Sequence, residues 1–185
     1  MKTMPDKSAQ RARVREGTTT SETFLRQVIE NAAGVPFQLI FADRLGAGHY
    51  AYVGEGIKEL LGLSPREFSE ATFTALVQEF HPLLDEIPAD PIACRMKMLR
   101  GELKQYKADV RVRTASGEEK WLNDSSIPLR DERSGKVIGA LGILMDITIR
   151  KRMEEALRES EQRYRSLFDG MMDGVYRSTH EGRFL

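Results

Sequence analysis

Residues 107–157 read KADVRVRTASGEEKWLNDSSIPLRDERSGKVIGALGILMDITIRKRMEEAL. The first eight alternate, with Ala108, Val110 and Val112 on one face and Lys107, Asp109, Arg111 and Arg113 on the other, the period of a half-buried strand. Ala115-Ser116-Gly117 marks a turn, EKWLNDSSIPLR (119–130) a second strand, SGK another turn, and VIGALGILMDI (137–147) a third strand. Strands joined by turns this short pair antiparallel, because a parallel return needs a crossover of about a dozen residues. The apolar run then gives way within three residues to a charged, Ala- and Leu-containing helical pattern.

Upstream, Thr19 and Glu22 have the spacing of a capping box, and Phe24, Leu25, Val28, Ile29 and Ala32 recur on one helical face. Gly34 and Pro36 read as the end of that helix. FQLIFA (37–42) and HYAYV (49–53) read as strands around the turn RLGAGH. Ile57, Leu60 and Leu61 give a short helix closed by Gly62, and Ser64-Pro65 suits the start of another. Residues 70–86 and 91–100 read as further helix, split by DEIPADP. Helix, two strands, short helices and a three-strand meander make an α+β fold.

Downstream, the helix over 147–170 carries acid-first i,i+4 pairs Glu154–Arg158, Glu159–Arg163 and Glu161–Arg165, each contributing about 0.3 kcal/mol. Ile149, Met153, Ala156, Ser160, Tyr164, Leu167 and Met171 form a seam with one stutter. It suits a short parallel coiled coil or an amphipathic helix packed on its own domain. Asp146 and Thr148 are both good caps for this helix, each contributing about 1 kcal/mol, and a carboxylate there favours the helix dipole and can reach Arg150.

The 185 residues carry equal numbers of basic and acidic side chains, so the total charge points to neither nucleic acid nor an anionic membrane. The locally basic residues 1–18 read as a solvated tail. The single cysteine, Cys94, excludes an internal disulfide framework and fits a reducing compartment. No apolar run approaches the roughly 18 residues of a membrane span, and no signal-peptide core opens the chain. A cytoplasmic location follows as the expectation. An internal repeat is also visible: Ser21-Glu22, Arg26, Val28, Ile29 and Glu30 recur 139 residues on as Ser160-Glu161, Arg165, Leu167, Phe168 and Asp169, and Gly34-Val35 matches Gly174-Val175.

Several ordered motifs resemble the PAS sensor family with its C-terminal PAC motif. YVGEGIKELLGLSPREF resembles the family's second strand and first core helix, EFHPL its histidine-proline helix end, and residues 108–157 its last three strands and output motif Asp146-Ile147-Thr148. The resemblance spans roughly residues 20–157. It implies a PAS fold over 19–148, with an antiparallel sheet of about five strands, helices on one face and flanking helices at both ends. Residues 149–170 would then be a linker helix, and ESEQRYRSLFDGMMDGVYRSTHEGRFL resembles the opening of a second PAS repeat that breaks off after 171–185.

The resemblance further implies a small ligand between sheet and helices, a homodimer through the flanking helices, and signal relay through Asp146, Ile147, Thr148 and Arg150. Pocket candidates are Leu122, Asp124, Ser126, Leu144 and Met96. Polar Asn123, Asp124, Ser125 and Ser126 leave the inward face of their strand open. An inward Asp124 would have to be paired or serve a ligand donor; a solvated strand edge is the alternative.

The light-sensing flavin subfamily needs a cysteine in a motif resembling GRNCRFLQ. Cys94 lies in PIACRMKML, and Leu122 and Leu144 stand where flavin-contacting amides align, which argues against flavin. His49, His81 and His180 are poorly placed as haem ligands, and no His/Cys cluster has metal spacing. Gly54-Glu55-Gly56 lacks the third glycine of a dinucleotide loop, and no nucleophile elbow, HExxH or P-loop occurs. No catalytic residue is assigned. The expected function is a sensory module, of a histidine kinase in the family's commonest setting or of a diguanylate cyclase in the next. A ligand-free dimerisation and spacing module is the alternative, and DNA binding through the basic tail lacks a recognition helix.

Overall fold

The structure, a computed structural model, describes residues 34–41, 48–88 and 90–169. The basic tail, the 19–32 helix, most of the RLGAGH turn and the repeat over 171–185 lie outside them. Residues up to Ile147 form one compact unit, and the helix from Thr148 belongs to a second.

The first unit is a six-stranded sheet in the order β2-β1-β6-β5-β4-β3, one strand more than the expected five. Its strands are β1 (Gly34–Ile40), β2 (His49–Val53), β3 (Val77–Pro82), β4 (Tyr106–Arg113), β5 (Glu119–Arg130) and β6 (Val137–Asp146). All neighbouring pairs are antiparallel. The β4–β5–β6 meander forms as its alternation and turns dictate. Gly117 and Gly135 take φ 87° and 68° in its two tight connections, a conformation glycine reaches without steric cost.

Two readings are corrected. Gly34 and Pro36 lie inside β1, which begins at Gly34 rather than Phe37, and they pair with Met145 and Ile143 of β6; the helix they were read as ending lies outside the described residues. At Gly34 a Cβ would fall 2.2 Å from Ile143 Cδ1, so any other residue displaces that side chain. The Pro36 carbonyl accepts from Gly54 N at 2.8 Å. The histidine-proline stretch is not a helix end. Helical structure stops at Leu76, and Val77–Pro82 becomes the edge strand β3, with Val77 opposite Val112 and His81 opposite Asp109. A proline at the end of an edge strand removes no ladder donor that the sheet needs.

Three helices connect the strands: α1 (Ile57–Leu61), α2 (Glu70–Leu76) and α3 (Pro91–Leu99). α1 buries Ile57, Leu60 and Leu61 and ends at Gly62 with φ 78°, whose N–H returns to Lys58 O. Ser64 and Pro65 open only a turn, closed by Ser64 N and Oγ donating to Glu67 Oε2 at 2.9 and 2.7 Å. α2 has a Ser69–Thr72 capping box. α3 is capped by Asp90, whose carboxylate accepts from Ile92 N and Ala93 N at 3.1 Å each, with Pro91 opening the helix.

The core divides in two. One cluster packs Val35, Phe37, Ile57, Leu61, Leu122 and Leu144 under α1. The other packs Ile87, Cys94, Met98, Leu103, Val137 and Ala140 under α3. Phe80 touches both.

The second unit's helix, α4, spans Thr148–Asp169. Its ion pairs differ from those expected: Glu154 meets Arg150 at 3.8 Å and Lys151 at 4.0 Å, while Arg158 meets Glu155 at 2.7 Å. Ile149, Met153, Leu157 and Tyr164 are exposed along it.

Candidate functional site

β5 carries the site. Its register sets Leu122 opposite Val110, Asp124 opposite Ala108 and Leu144, and Ser126 opposite Tyr106 and Gly142. Ala108, Val110, Leu122 and Leu144 are all buried in the core, so Leu122, Asp124 and Ser126 face the helices. Asn123 lies on the opposite face, where its Nδ2 donates to Asp109 Oδ1 at 2.9 Å. That bond supplies a partner to a carboxylate that is buried, at 1% exposure, on the outward face. Strand parity, open in the sequence, is thereby fixed.

Four of the five pocket candidates thus share the inner face, on β5 and β6. The fifth, Met96, is half-buried on α3, where Met98 rather than Met96 enters the core cluster. The inner face also gathers residues that sequence reasoning missed. Tyr50 packs edge-on against Phe37 with centroids 5.6 Å apart and tilted against Phe68 at 4.7 Å. Tyr106 packs against the α3 cluster. Arg95 of α3 pairs with Glu70 of α2, and Glu70 also accepts from Gly48 N at 2.6 Å. Arg95 lies over the Phe41 ring at 5.3 Å. The alternation in HYAYV was the available signal for Tyr50; nothing local marks Glu70 or Arg95.

Asp124 is the anomaly among these groups. Its Oδ1 is sealed from solvent and has no hydrogen-bond partner, although the residue as a whole retains some accessible surface. Burial pushes the carboxyl from its ordinary 3.8 up to about 7. Both tyrosines feel its charge: burial first, then Asp124, holds the Tyr50 and Tyr106 phenols above their ordinary range. Burial also pushes the Cys94 thiol up to about 11, and Cys94 Sγ donates to Pro88 O at 3.3 Å. Such a thiol is no nucleophile at neutral pH.

A second polar feature lies at the exit of the sheet. Lys120 of β5 is largely buried and donates from Nζ to Glu59 O at 3.2 Å and Leu60 O at 3.1 Å, two carbonyls in the last turn of α1. The same Nζ stands 3.9 Å from Asp146 Oδ2. The neighbouring Leu61 carbonyl accepts from Ala115 N at 3.0 Å, and Ile147 N donates to Trp121 O at 2.8 Å. The expected relay residues Asp146 and Ile147 are therefore held by the sheet, directly before α4 begins at Thr148. Lys120 ties them to α1. Sequence reasoning did not single out Lys120, though it shares parity with inward Leu122.

The family model described as "PAS fold" matches residues 22–152. The chain belongs to the PAS fold family. It is 29% identical over 161 residues to the two-component sensor PprA of Pseudomonas aeruginosa, covering 85% of this chain and 16% of that protein. The chain thus spans about one sixth of that relative's length. Among solved structures, an RNA-binding light-oxygen-voltage receptor shares 17% identity over 76% of this chain and 37% of its own, with a TM-score of 0.56. A sensory box histidine kinase/response regulator from Burkholderia thailandensis shares 24% identity over 76% of this chain and 97% of its own, with a TM-score of 0.48. The family match fixes the PAS fold. Among the described residues no His, Cys, Asp and Glu cluster could hold a metal ion, and no helix is long and apolar enough to cross a membrane.

Proposed function

We propose that this PAS domain is the sensory module of a signal-transduction protein, binding a small ligand on the helix-covered face of the sheet. The observation that carries the reading is the unpartnered Asp124 Oδ1 between two apolar clusters. Leaving a buried polar group unmatched costs about 1–3 kcal/mol, so a ligand donor at this oxygen gains what the empty protein lacks. Leu122, Ser126 and Leu144 form the adjoining wall.

Relay runs from the same strand. Lys120 lies on the Asp124 face of β5 and grips α1 and Asp146 together. A ligand that shifts β5 against α1 alters the setting of Asp146 and Ile147, and through Thr148 and Arg150 the start of α4. Two helix settings biased by a few kcal/mol of differential binding suffice to switch an output. The exposed stripe of Ile149, Met153, Leu157 and Tyr164 supports pairing of α4 with its copy in a homodimer. A histidine kinase is the favoured output, in a cytoplasmic setting; a diguanylate cyclase is the second choice. The exposed stripe equally supports a spacing module that dimerises without ligand.

Native mass spectrometry of the chain, purified without added ligand and then exposed to metabolite pools, separates these readings. A reproducible small-molecule adduct that Asp124→Leu abolishes supports sensing. A dimer that remains free of adducts throughout contradicts it.

A further inference from the structure

The unpartnered acceptor oxygen of Asp124 has a chemistry that narrows the ligand. Three acidic or phenolic groups from three strands share the inner face, Asp124 of β5, Tyr50 of β2 and Tyr106 of β4, and the Asp124 charge reaches both phenols. The cations on this face are engaged: Arg95 pairs with Glu70, and Lys120 donates to the Glu59 and Leu60 carbonyls beside Asp146. Asp124 is then the one carboxylate here with an oxygen sealed off and unpartnered. Phe37 and Phe68 pack on Tyr50, so the surroundings are aromatic as well as anionic. An anionic oxygen beside aromatic faces is a setting that attracts a desolvated cation: the ring quadrupoles and the carboxylate act with the same sign. A ligand carboxylate or phosphate meets repulsion at the same place.

Resting on the reading of this face as a ligand site, we infer that the ligand is a small organic cation, an alkyl- or arylalkylammonium, whose N–H donates to Asp124 Oδ1. Its ammonium forms a charge-assisted bond with the buried carboxylate, while its apolar body lies among the aromatic side chains and Leu122.

Binding is linked to protons. The carboxyl titrates near pH 7 in the empty protein, so at neutral pH about half of the molecules carry a proton there. An ammonium ligand requires the carboxylate, and each protonated site releases its proton to solvent on binding. Of the groups facing Asp124, Tyr50 and Tyr106 stay protonated above their ordinary range and Cys94 of α3 lies near 11; Glu70 of α2 and Arg95 of α3 form an ion pair.

Isothermal titration calorimetry on the whole chain provides the test, with phenethylammonium, its alcohol isostere 2-phenylethanol and the acid hydrocinnamate as probes. Methyl NMR reports in parallel on Leu122 and Leu144. The expected result is saturable binding of the ammonium at pH 8, at least tenfold tighter than the alcohol. It weakens at least tenfold at pH 5.5, and about half a proton is released at pH 7. Asp124→Asn, which keeps shape and loses charge, removes the preference for the cation over the alcohol. Should the alcohol or the acid bind as tightly and shift the Leu122 and Leu144 methyls, the ligand site stands and the cation class is overturned. Should no probe move those methyls at millimolar concentration, both are overturned.

Discussion

The carboxyl of Asp124 makes the protein's stability fall with rising pH across a range where most carboxylates support folding. An ordinary aspartate titrates near 3.8, and this one near 7 in the folded chain. Between those values the folded state binds a proton that the unfolded state has lost, so stability declines as pH rises. It is fully present below pH 3.8 and lost by the time pH passes 7. At 1.36 kcal/mol per unit, a rise of about 3 units corresponds to about 4 kcal/mol between pH 4 and pH 8. Asp124→Asn cannot ionise and removes this one contribution. Urea unfolding of both proteins at half-unit pH steps, followed by Trp121 fluorescence, isolates the difference. With a slope of about 2 kcal/mol per molar urea, the midpoint of Asp124→Asn moves up by about 2 M relative to the parent between pH 4 and pH 8. A midpoint difference that is constant over that range refutes the placement of Asp124 in the core.

Lys120→Met leaves the Glu59 and Leu60 carbonyls without their donor and should cost about 1–3 kcal/mol in thermal or urea unfolding. Asp146→Ala, at 3.9 Å from Lys120 and partly exposed, should cost less than about 1 kcal/mol in the same assay. Gly139→Ala places a Cβ 2.2 Å from the Leu39 carbonyl oxygen, and because backbone cannot step aside it should lower stability by about 1–3 kcal/mol or more. Replacing Met153 and Leu157 with lysine should shift the chain to monomer in analytical ultracentrifugation without lowering the unfolding midpoint of the sheet.

The sheet's last three strands were legible because the alternation of 107–113, the apolar run of 137–145 and the turns between the strands agree. α1 was legible for the same reason: Ile57, Leu60, Leu61 and Gly62 form a complete local message. β3 was not. VQEFHP has no clean alternation, and its burial runs irregularly along the strand, because only pairing with β4 makes it a strand. The start of β1 was hidden by Gly34 and Pro36, read as breakers though each fits a close approach made by other strands. The inner residues of β5 were nameable from the resemblance, yet their face was not, since polar side chains occupy both sides. Asn123 is polar because it satisfies Asp109 outside, and Asp124 is polar with nothing to satisfy it. That difference exists only in three dimensions. The ties made by Lys120 join residues about 60 positions apart in the chain and left no local trace.

A single pH titration by NMR tests the link between the buried carboxylate and the helix joint without knowledge of the ligand. The Asp124 side-chain carbonyl carbon and the amides of Asp146, Ile147 and Thr148 are followed from pH 5 to pH 9, with Asp124→Asn as the control. A common midpoint near pH 7 at all four sites, absent from the joint amides in Asp124→Asn, is the predicted outcome. Titration of Asp124 in the ordinary carboxylate range, or near 7 with no response at Ile147, would contradict a relay from the inner face to α4.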